Sequence, residues 1–156
     1  MRNLTKYLAN FLTIWFRPGV VRTGGRLHLA LYRLFHGAGP LGVDTLILTT
    51  RGRTSGEPRS TPLYYAEHDG NRYVAASFAG SDTVPHWYRN LVAHPQVEVD
   101  IRGETIPHTA RVLPADEAKR IWPALVAIYP TFERYRQRTS RAIPVIELTP
   151  TRQPTP

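Results

Sequence analysis

The segment from Thr50 to Arg59 has the residue types of an anion-binding loop. It contains three arginines, two glycines and the adjacent hydroxyls of Thr54 and Ser55. Glycines let backbone N–H groups face a ligand, and each guanidinium can bind a phosphate or carboxylate through two parallel hydrogen bonds. The loop lacks the lysine of a Walker loop, and it precedes a predicted strand rather than the helix of a dinucleotide fingerprint. It therefore indicates either an anion site of another kind or an ordinary solvated turn.

Small residues and a helix start follow at Val74–Gly80 and His86. Four small side chains at the end of a predicted strand would let a flat ring approach and bond to the backbone, although they also permit close packing. The helix that Pro85 opens has free amide groups in its first turn, which favour an anion or an electron-rich ring edge. Both segments are candidate contacts for a planar, anionic ligand.

An aromatic stripe is formed by Tyr129, Phe132 and Tyr135 at three-residue steps. Such a stripe is typical of core packing. It can also form a lid over a planar substrate, where a tyrosine hydroxyl orients the substrate or protonates it. Both interpretations are open at the level of the residues alone.

The lack of cysteine excludes several kinds of site. Without cysteine there is no disulfide, zinc ribbon, iron–sulfur cluster or thiol nucleophile, and redox chemistry must come from a cofactor. The six histidines show no paired ligand spacing, so no metal site is expected. A Ser/His/Asp triad can be drawn only by selecting from many candidates.

Positive charge is concentrated at the N-terminus. The net charge of +8 includes +6 from residues 1–43, which contain no acidic residue, so the rest of the chain is nearly balanced. This distribution disfavours nucleic-acid binding, which the net charge and 16 aromatic residues would otherwise suggest. Only two of the 20 basic residues are lysine, a bias typical of a GC-rich bacterial genome.

The elements that must position these residues fall into two parts, the first of which is an arm at residues 1–36. Leu4–Phe16 repeats apolar residues at three- and four-residue steps, which predicts a basic, amphipathic helix. The helix either lies at an anionic membrane surface or packs on its own domain. It is too short to span a bilayer, and no signal-peptide cleavage site follows it. We expect a cytoplasmic protein, with peripheral contact at the inner face of the cell membrane as the open alternative.

The second part, residues 43–149, is predicted to be an α+β domain. Hairpin signals such as Asp69–Gly70 join mostly antiparallel strands, which favours a small closed or half-closed β-barrel with flanking helices. Strands are predicted at Val43–Thr50, Arg59–Tyr65, Arg72–Ser77, Gln96–Arg102, Thr105–Leu113 and Ala142–Leu148. Helices are predicted at Pro85–Ala93, Pro114–Ile128 and Thr131–Arg138. Pro62 requires its strand to bulge or to lie at a sheet edge.

Several of these segments together resemble one family. Leu48–Arg59, Pro62–Tyr65, Val74–Ser77 and His86–Pro95 have the order and spacing of the deazaflavin-dependent nitroreductases of actinobacteria. The resemblance covers residues 43–149, and the helix that usually precedes this region in the family corresponds to the arm. It implies an antiparallel split β-barrel, of the flavin-reductase or pyridoxamine-oxidase type, that binds coenzyme F420. The reduced cofactor would transfer hydride to a flat acceptor such as a quinone, an enone or a nitroaromatic.

The resemblance also implies roles for individual residues. Tyr129 and Tyr135 match family tyrosines near the substrate pocket and, with Ser77, are the candidate catalytic residues. The cationic loop would hold the phosphate and glutamyl tail of F420, and the other segments would line its ring and ribityl chain. The cofactor-binding candidates are Arg53, Thr54, Ser55, Arg59, Ser60, Thr61, Pro62, Leu63, Tyr64, Ala75, Ala76, Ser77, Phe78, His86, Trp87, Tyr88, Arg89 and Asn90.

Two positions depart from the family pattern. Phe78 stands where relatives active on nitro drugs commonly have lysine, and Phe132 stands where a third tyrosine is often found. Loss of the lysine should weaken or shift binding of the F420 tail, and loss of the tyrosine hydroxyl affects the acceptor preference. The identity of the cofactor is less affected than the identity of the acceptor. The alternatives are an FMN-dependent flavin reductase or oxidase of the same barrel type, and a non-catalytic F420-binding protein. Family barrels often form homodimers.

Overall fold

The structure is a computed structural model that describes residues 45–151, so the predicted arm at residues 1–36 lies outside the described residues. The strands are β1 Thr45–Arg51, β2 Pro58–Tyr64, β3 Ala66–His68, β4 Asn71–Ala75, β5 Gln96–Ile101, β6 Glu104–Val112 and β7 Val145–Pro150. The helices are α1 His86–Ala93, α2 Ala115–Ile128 and α3 Thr131–Arg138.

All seven strands belong to one antiparallel sheet in the order β2-β1-β5-β6-β7-β4-β3. The two edge strands, β2 and β3, are consecutive in sequence and are separated by Tyr65 alone. One extended residue spans only about 3.3–3.6 Å, so the two edges must approach each other at this point. The sheet therefore curls into a split barrel, which confirms the predicted fold class.

Two tight hairpins follow from sequence. Asp69 and Gly70 have φ values of +50° and +77°, and Arg102 and Gly103 have values of +55° and +90°. Two consecutive positive φ angles are the signature of the turn type whose twist matches that of the flanking strands. Pro62 lies in β2, an edge strand, opposite Ile47 in a regular register, so the proline is accommodated by the edge position without a bulge.

The end of β4 and the start of β7 differ from the prediction. β4 ends at Ala75 rather than Ser77, and β7 begins at Val145 rather than Ala142. The physical reason is Pro144, which lacks an N–H group and cannot continue the ladder, although its C=O still accepts the N–H of Ala76 at 2.9 Å. The three residues of β3 were not predicted, because such a short strand has no measurable alternation.

Two apolar clusters hold the sheet and the helices together. The first fills the barrel and the second packs α2 and α3 against the outside of the sheet. The barrel cluster consists of Leu46, Leu48, Tyr65, Val74, Ala76, Trp87, Leu91, Val97, Val99, Ala110, Ile146 and Leu148. The outer cluster consists of Ala66, Tyr73, Ala75, Leu113, Ile121, Trp122, Leu125, Phe132, Ile143 and Val145.

A buried histidine in β6 should make the stability depend on pH. His108 is 1% exposed, with Nδ1 at 2.9 Å from the Ile106 C=O and Nε2 at 3.4 Å from Nη1 of Arg72. Burial lowers the pKa of His108 below its usual 6.5, because the charged ring would lose its hydration. The unfolded chain therefore binds this proton at higher pH than the folded chain, so stability is full above about pH 6.5 and decreases as the pH falls below it. Denaturant titrations between pH 7.5 and 5 should show this loss, and His108→Gln should reduce it; an unchanged slope would contradict the assignment.

Candidate active site

The cationic loop between β1 and β2 is closed by its own backbone. The N–H of Gly52 donates to the C=O of Glu57 at 2.8 Å, and the N–H of Gly56 donates to the C=O of Gly52 at 2.7 Å. Gly56 has a φ of +72°, which glycine adopts without the clash that a side chain would cause. The loop is therefore a compact turn of defined shape.

A buried amide on α1 fixes this loop to the barrel. Oδ1 of Asn90 accepts the backbone N–H of Arg53 at 3.3 Å and Nη1 of its side chain at 3.1 Å. Nδ2 of Asn90 donates to Oγ1 of Thr50 at 3.2 Å, and that hydroxyl donates to the C=O of Arg59 at 3.4 Å. One side chain thus connects both ends of the loop. Its contacts in this structure are with the loop, which it would present to a ligand.

Replacing this amide should weaken both the fold and the loop. Asn90→Ala leaves the buried Thr50 hydroxyl and the Arg53 amide without their partner, a change that costs about 1–3 kcal/mol of the free energy of unfolding. Asn90→Asp keeps an acceptor for Arg53 and loses only the donor to Thr50, so it should be the milder variant. Urea unfolding measures both, and equal stability of Asn90→Ala and the wild type would contradict this network.

The candidate ligand-binding groups of the loop face solvent. Arg53, Thr54, Ser55, Arg59 and Ser60 are all exposed. Within residues 45–151, every ion pair involves other cations, so neither of these arginines is neutralised by a carboxylate. Both guanidinium groups are consequently available to an anionic ligand.

A tyrosine cluster lies at the other end of β2. Tyr64 is the last residue of this strand, and its ring centroid is 4.7 Å from that of Tyr129. Tyr129 is in turn 5.3 Å from Phe132 and 6.2 Å from Tyr135. Phe132 is buried, whereas the three tyrosines are half-buried. The aromatic stripe therefore combines a core position at Phe132 with a partly open tyrosine face, and the interpretation as a lid over a substrate stays a prediction.

Two tyrosines of this cluster, Tyr64 and Tyr135, have a raised pKa. Burial raises the pKa of Tyr135 above its usual value, and a hydrogen bond with Tyr129 raises it further. Burial also raises the pKa of Tyr64, with a smaller contribution from the neighbouring Tyr129. The hydroxyls of Tyr64 and Tyr135 are therefore neutral at physiological pH, and as neutral groups they can donate a hydrogen bond or relay a proton.

β2 sets the separation between the loop and the tyrosine cluster. Arg59 and Tyr64 are five residues apart in this extended strand, which corresponds to about 17 Å. Thr61, Pro62 and Leu63 lie between them, half-buried, on an edge strand of the sheet. Because residues five apart on a strand point to opposite faces, an elongated ligand with an anionic end at the loop and a flat end near the tyrosines would run along this exposed edge of the sheet.

The small-residue segment leaves β4 through a left-handed turn. Ala75 and Ala76 are buried in the two apolar clusters, so they contribute shape to the site rather than exposed contacts. Ser77 is also buried, and it leads into the turn Phe78–Gly80, whose φ values are +45°, +54° and +76°. Each non-glycine residue in this conformation costs about 1–2 kcal/mol. Such strain persists only where surrounding contacts enforce it, commonly at functional sites.

Candidate site residues lie on both the exposed and the buried face of α1. Its first turn begins at His86, and no side chain caps it. His86 and Arg89 are exposed and Tyr88 is half-buried, so these three can reach a ligand. Trp87 is buried in the barrel cluster and acts as support.

Within the described range, no three His, Asp or Glu side chains group as a metal site.

Comparison with known proteins gives a consistent result. The sequence profile of the F420H(2)-dependent quinone reductases matches residues 24–150. The chain is 40% identical over 108 residues to Rv3178 of Mycobacterium tuberculosis, which covers 69% of this chain and 91% of that protein. It is 38% identical over 132 residues to Rv1261c of the same organism, named F420H(2)-dependent quinone reductase, with coverage of 80% and 88%.

Solved structures agree with the sequence relatives. An F420-H2 dependent reductase, FDR-A, superposes with a TM-score of 0.62 at 35% identity, over 67% of this chain and 92% of that one. A structure described as a domain-swapped dimer has a TM-score of 0.63 at 31% identity, with coverage of 78% and 96%. A pyridoxamine 5'-phosphate oxidase-like protein from Listeria innocua, 18% identical with a TM-score of 0.50, shares the fold.

Proposed function

The chain belongs to the F420H(2)-dependent quinone reductase family and is an F420H2-dependent oxidoreductase, and from this premise we propose that its acceptor is a quinone, reduced to the hydroquinone. The observation that carries the proposal is the pairing of a cationic loop with a tyrosine cluster at opposite ends of β2. A nitroaromatic or an enone is a secondary acceptor, because either is also flat and accepts hydride.

The described residues fit F420 in shape and charge. The cofactor has a flat deazaflavin ring, a ribityl chain and an anionic phosphate and glutamyl tail. The guanidinium groups of Arg53 and Arg59, which form no ion pair among residues 45–151, suit the tail together with the hydroxyls of Thr54 and Ser55. The edge strand from Ser60 to Tyr64 provides the length between tail and ring. Ala75–Phe78 and the first turn of α1 would border the ring.

The chain itself must exclude water, orient the acceptor and supply a proton. When bound, reduced F420 supplies the hydride, so the quinone gains two electrons and one proton from the cofactor and needs one more proton at a carbonyl oxygen. We assign that proton to the hydroxyl of Tyr129 or Tyr135, replenished from solvent. Ser77, buried beside the left-handed turn, would orient the ring.

The decisive experiment separates three functions. Fluorescence titration with oxidised F420 and with FMN compares the two cofactors, and anaerobic mixing of F420H2 with menadione then measures turnover. Preferential F420 binding with enzyme-dependent quinone reduction is the expected result. Preference for FMN would favour the flavin reductase alternative, and F420 binding without turnover of any flat acceptor would favour a cofactor-binding protein.

We propose that residues 1–36 bring the protein to the membrane surface where a lipophilic quinone resides. The support is the sequence pattern, a basic amphipathic segment without acidic residues. Within residues 45–151, no helix is long and apolar enough to cross a bilayer. Deletion of residues 1–36 should reduce sedimentation with anionic liposomes while leaving neutral liposomes unaffected, because each cation contributes about 1 kcal/mol near an anionic surface. Equal partitioning of both forms would refute the proposal.

We also propose that the chain forms a homodimer. The support is the domain-swapped dimer among the structures that resemble it at 31% identity. Light scattering after size exclusion should then give twice the 17.7 kDa chain mass, and a monomer at micromolar concentration would contradict the proposal.

A further inference from the structure

The left-handed turn Phe78–Gly80 lies between the segment that would border the cofactor ring and the helix that carries Tyr135. It follows directly on Ala76 and Ser77. At its other side, Gly80 packs so closely on α3 that an added Cβ would lie 3.1 Å from both Cα and the C=O oxygen of Tyr135. A displacement of this turn would therefore shift the ring-side segment and the tyrosine together.

One arginine holds the carbonyl groups on both sides of this turn. Nη2 of Arg141 donates to the C=O of Ala76 at 3.0 Å and to that of Ser77 at 3.1 Å. Nε of the same residue donates to the C=O of Ser81 at 2.9 Å. The Arg141 guanidinium thus contacts the chain immediately before and immediately after the three left-handed residues.

Arg141 differs in this respect from the loop arginines. Its remaining terminal nitrogen, Nη1, donates to the C=O of Ala142 at 3.1 Å, so all three nitrogens are engaged with backbone. It is half-buried, whereas Arg53 and Arg59 are exposed. Its donors are consequently used within the protein, and its place is structural support of the site rather than contact with an anionic tail.

A carboxylate also connects the segment that follows the turn with the segment that follows α3. Oδ1 of Asp82 accepts Oγ1 of Thr139 at 2.9 Å and the N–H and hydroxyl of Ser140 at 3.0 and 3.2 Å. The second residue after the turn is thereby tied to the two residues just after α3. Together the two side chains fix the turn relative to the C-terminal end of α3.

We infer that Arg141 is a positioning residue, which enforces the strained turn at Phe78–Gly80 and thereby aligns the ring-side segment with Tyr135 for hydride and proton transfer. The inference rests on the proposed function for its catalytic consequence. It predicts a larger effect on kcat than on F420 affinity, because the tail is held by the separate loop at the other end of β2. A side chain that served only global stability would instead lower the melting temperature without changing the turnover of each folded site.

The test compares Arg141→Lys and Arg141→Gln with the wild type and with Arg120→Gln. Arg120 is an exposed arginine on α2 whose ion pair within residues 45–151 is with Asp116. F420 titration counts the folded sites, and kcat is expressed per site. We expect both Arg141 variants to lose about 10- to 100-fold in kcat while the Kd for F420 changes less than threefold. Lysine should not rescue kcat, since a single ammonium cannot reach the carbonyl groups of Ala76, Ser77 and Ser81 together.

Hydrogen exchange provides a readout that does not need turnover. The N–H groups of Gly80 and Ser81 donate within the turn, at 3.0 Å each, and should exchange faster in both Arg141 variants and at the wild-type rate in Arg120→Gln. Unchanged exchange, unchanged kcat despite faster exchange, or full rescue by lysine would each overturn the inference. A wild type that binds F420 but reduces no acceptor would overturn the proposed function instead, and exchange would still decide whether Arg141 holds the turn.

Discussion

Tyr129→Phe and Tyr135→Phe are each expected to lower kcat for quinone reduction about 100-fold, with little change in F420 binding. Each substitution removes one hydroxyl and keeps the ring, so the packing of Tyr129 against Tyr64 at 4.7 Å is preserved. The rings of Tyr129 and Tyr135 are neighbours, with centroids 6.2 Å apart, so removal of either hydroxyl is expected to interrupt the same proton route.

The double variant distinguishes a shared route from two separate roles. If the tyrosines act as one unit, Tyr129→Phe/Tyr135→Phe should be about as slow as either single variant, because losses within a unit are not additive. Multiplied losses would indicate independent roles, and no loss in any variant would show that solvent supplies the proton directly. Tyr73→Phe is the matched control, since its hydroxyl bonds to Glu147 at 3.0 Å outside the cluster.

Removal of either loop arginine is expected to weaken F420 binding. Arg53→Gln and Arg59→Gln each delete a charge-assisted hydrogen bond, worth about 1.5–3 kcal/mol, which corresponds to about 10- to 100-fold in Kd. The affinity of the wild type should also fall with added salt, and that dependence should be shallower in the variants. Fluorescence titration at two ionic strengths measures both effects, with Arg120→Gln as the control for loss of an exposed arginine.

A shortened cofactor makes the assignment specific to the tail. The deazaflavin that lacks the phosphate and glutamyl groups should bind the wild type and both variants with similar affinity, since it presents no anion to the loop. Discrimination against this shortened form by the variants would mean that the arginines contact the ring instead. Arg53 carries an additional expectation: Asn90→Ala should reproduce part of its effect, because Asn90 orients this side chain.

The local elements were predictable because their causes are local. Asp69–Gly70 and Arg102–Gly103 form tight hairpins since glycine accepts the positive φ that the turn requires. The alternation of Val97 and Val99 with polar residues predicted that β5 is a strand with one solvent-exposed face, and both valines are buried. The loop was recognisable for the same reason, since its arginines, glycines and hydroxyls are adjacent in sequence and their chemistry needs no distant partner.

Contacts between distant segments were decided by the tertiary structure alone. Asn90 supports a loop 37 residues away in sequence, and Arg141 binds carbonyl groups 64 and 65 residues away. The groups that these two side chains bind are backbone or common polar groups, which have no recognisable pattern in the sequence. Likewise, Tyr64 meets Tyr129 only because the curled sheet brings the end of β2 beneath α2 and α3. Short-range sterics, periodicity and adjacent residue types were sufficient to predict the hairpins, the residue chemistry and the cationic loop. The curl of the sheet decided which of those residues share one site, because burial of two apolar clusters fixes long-range geometry that no local pattern encodes.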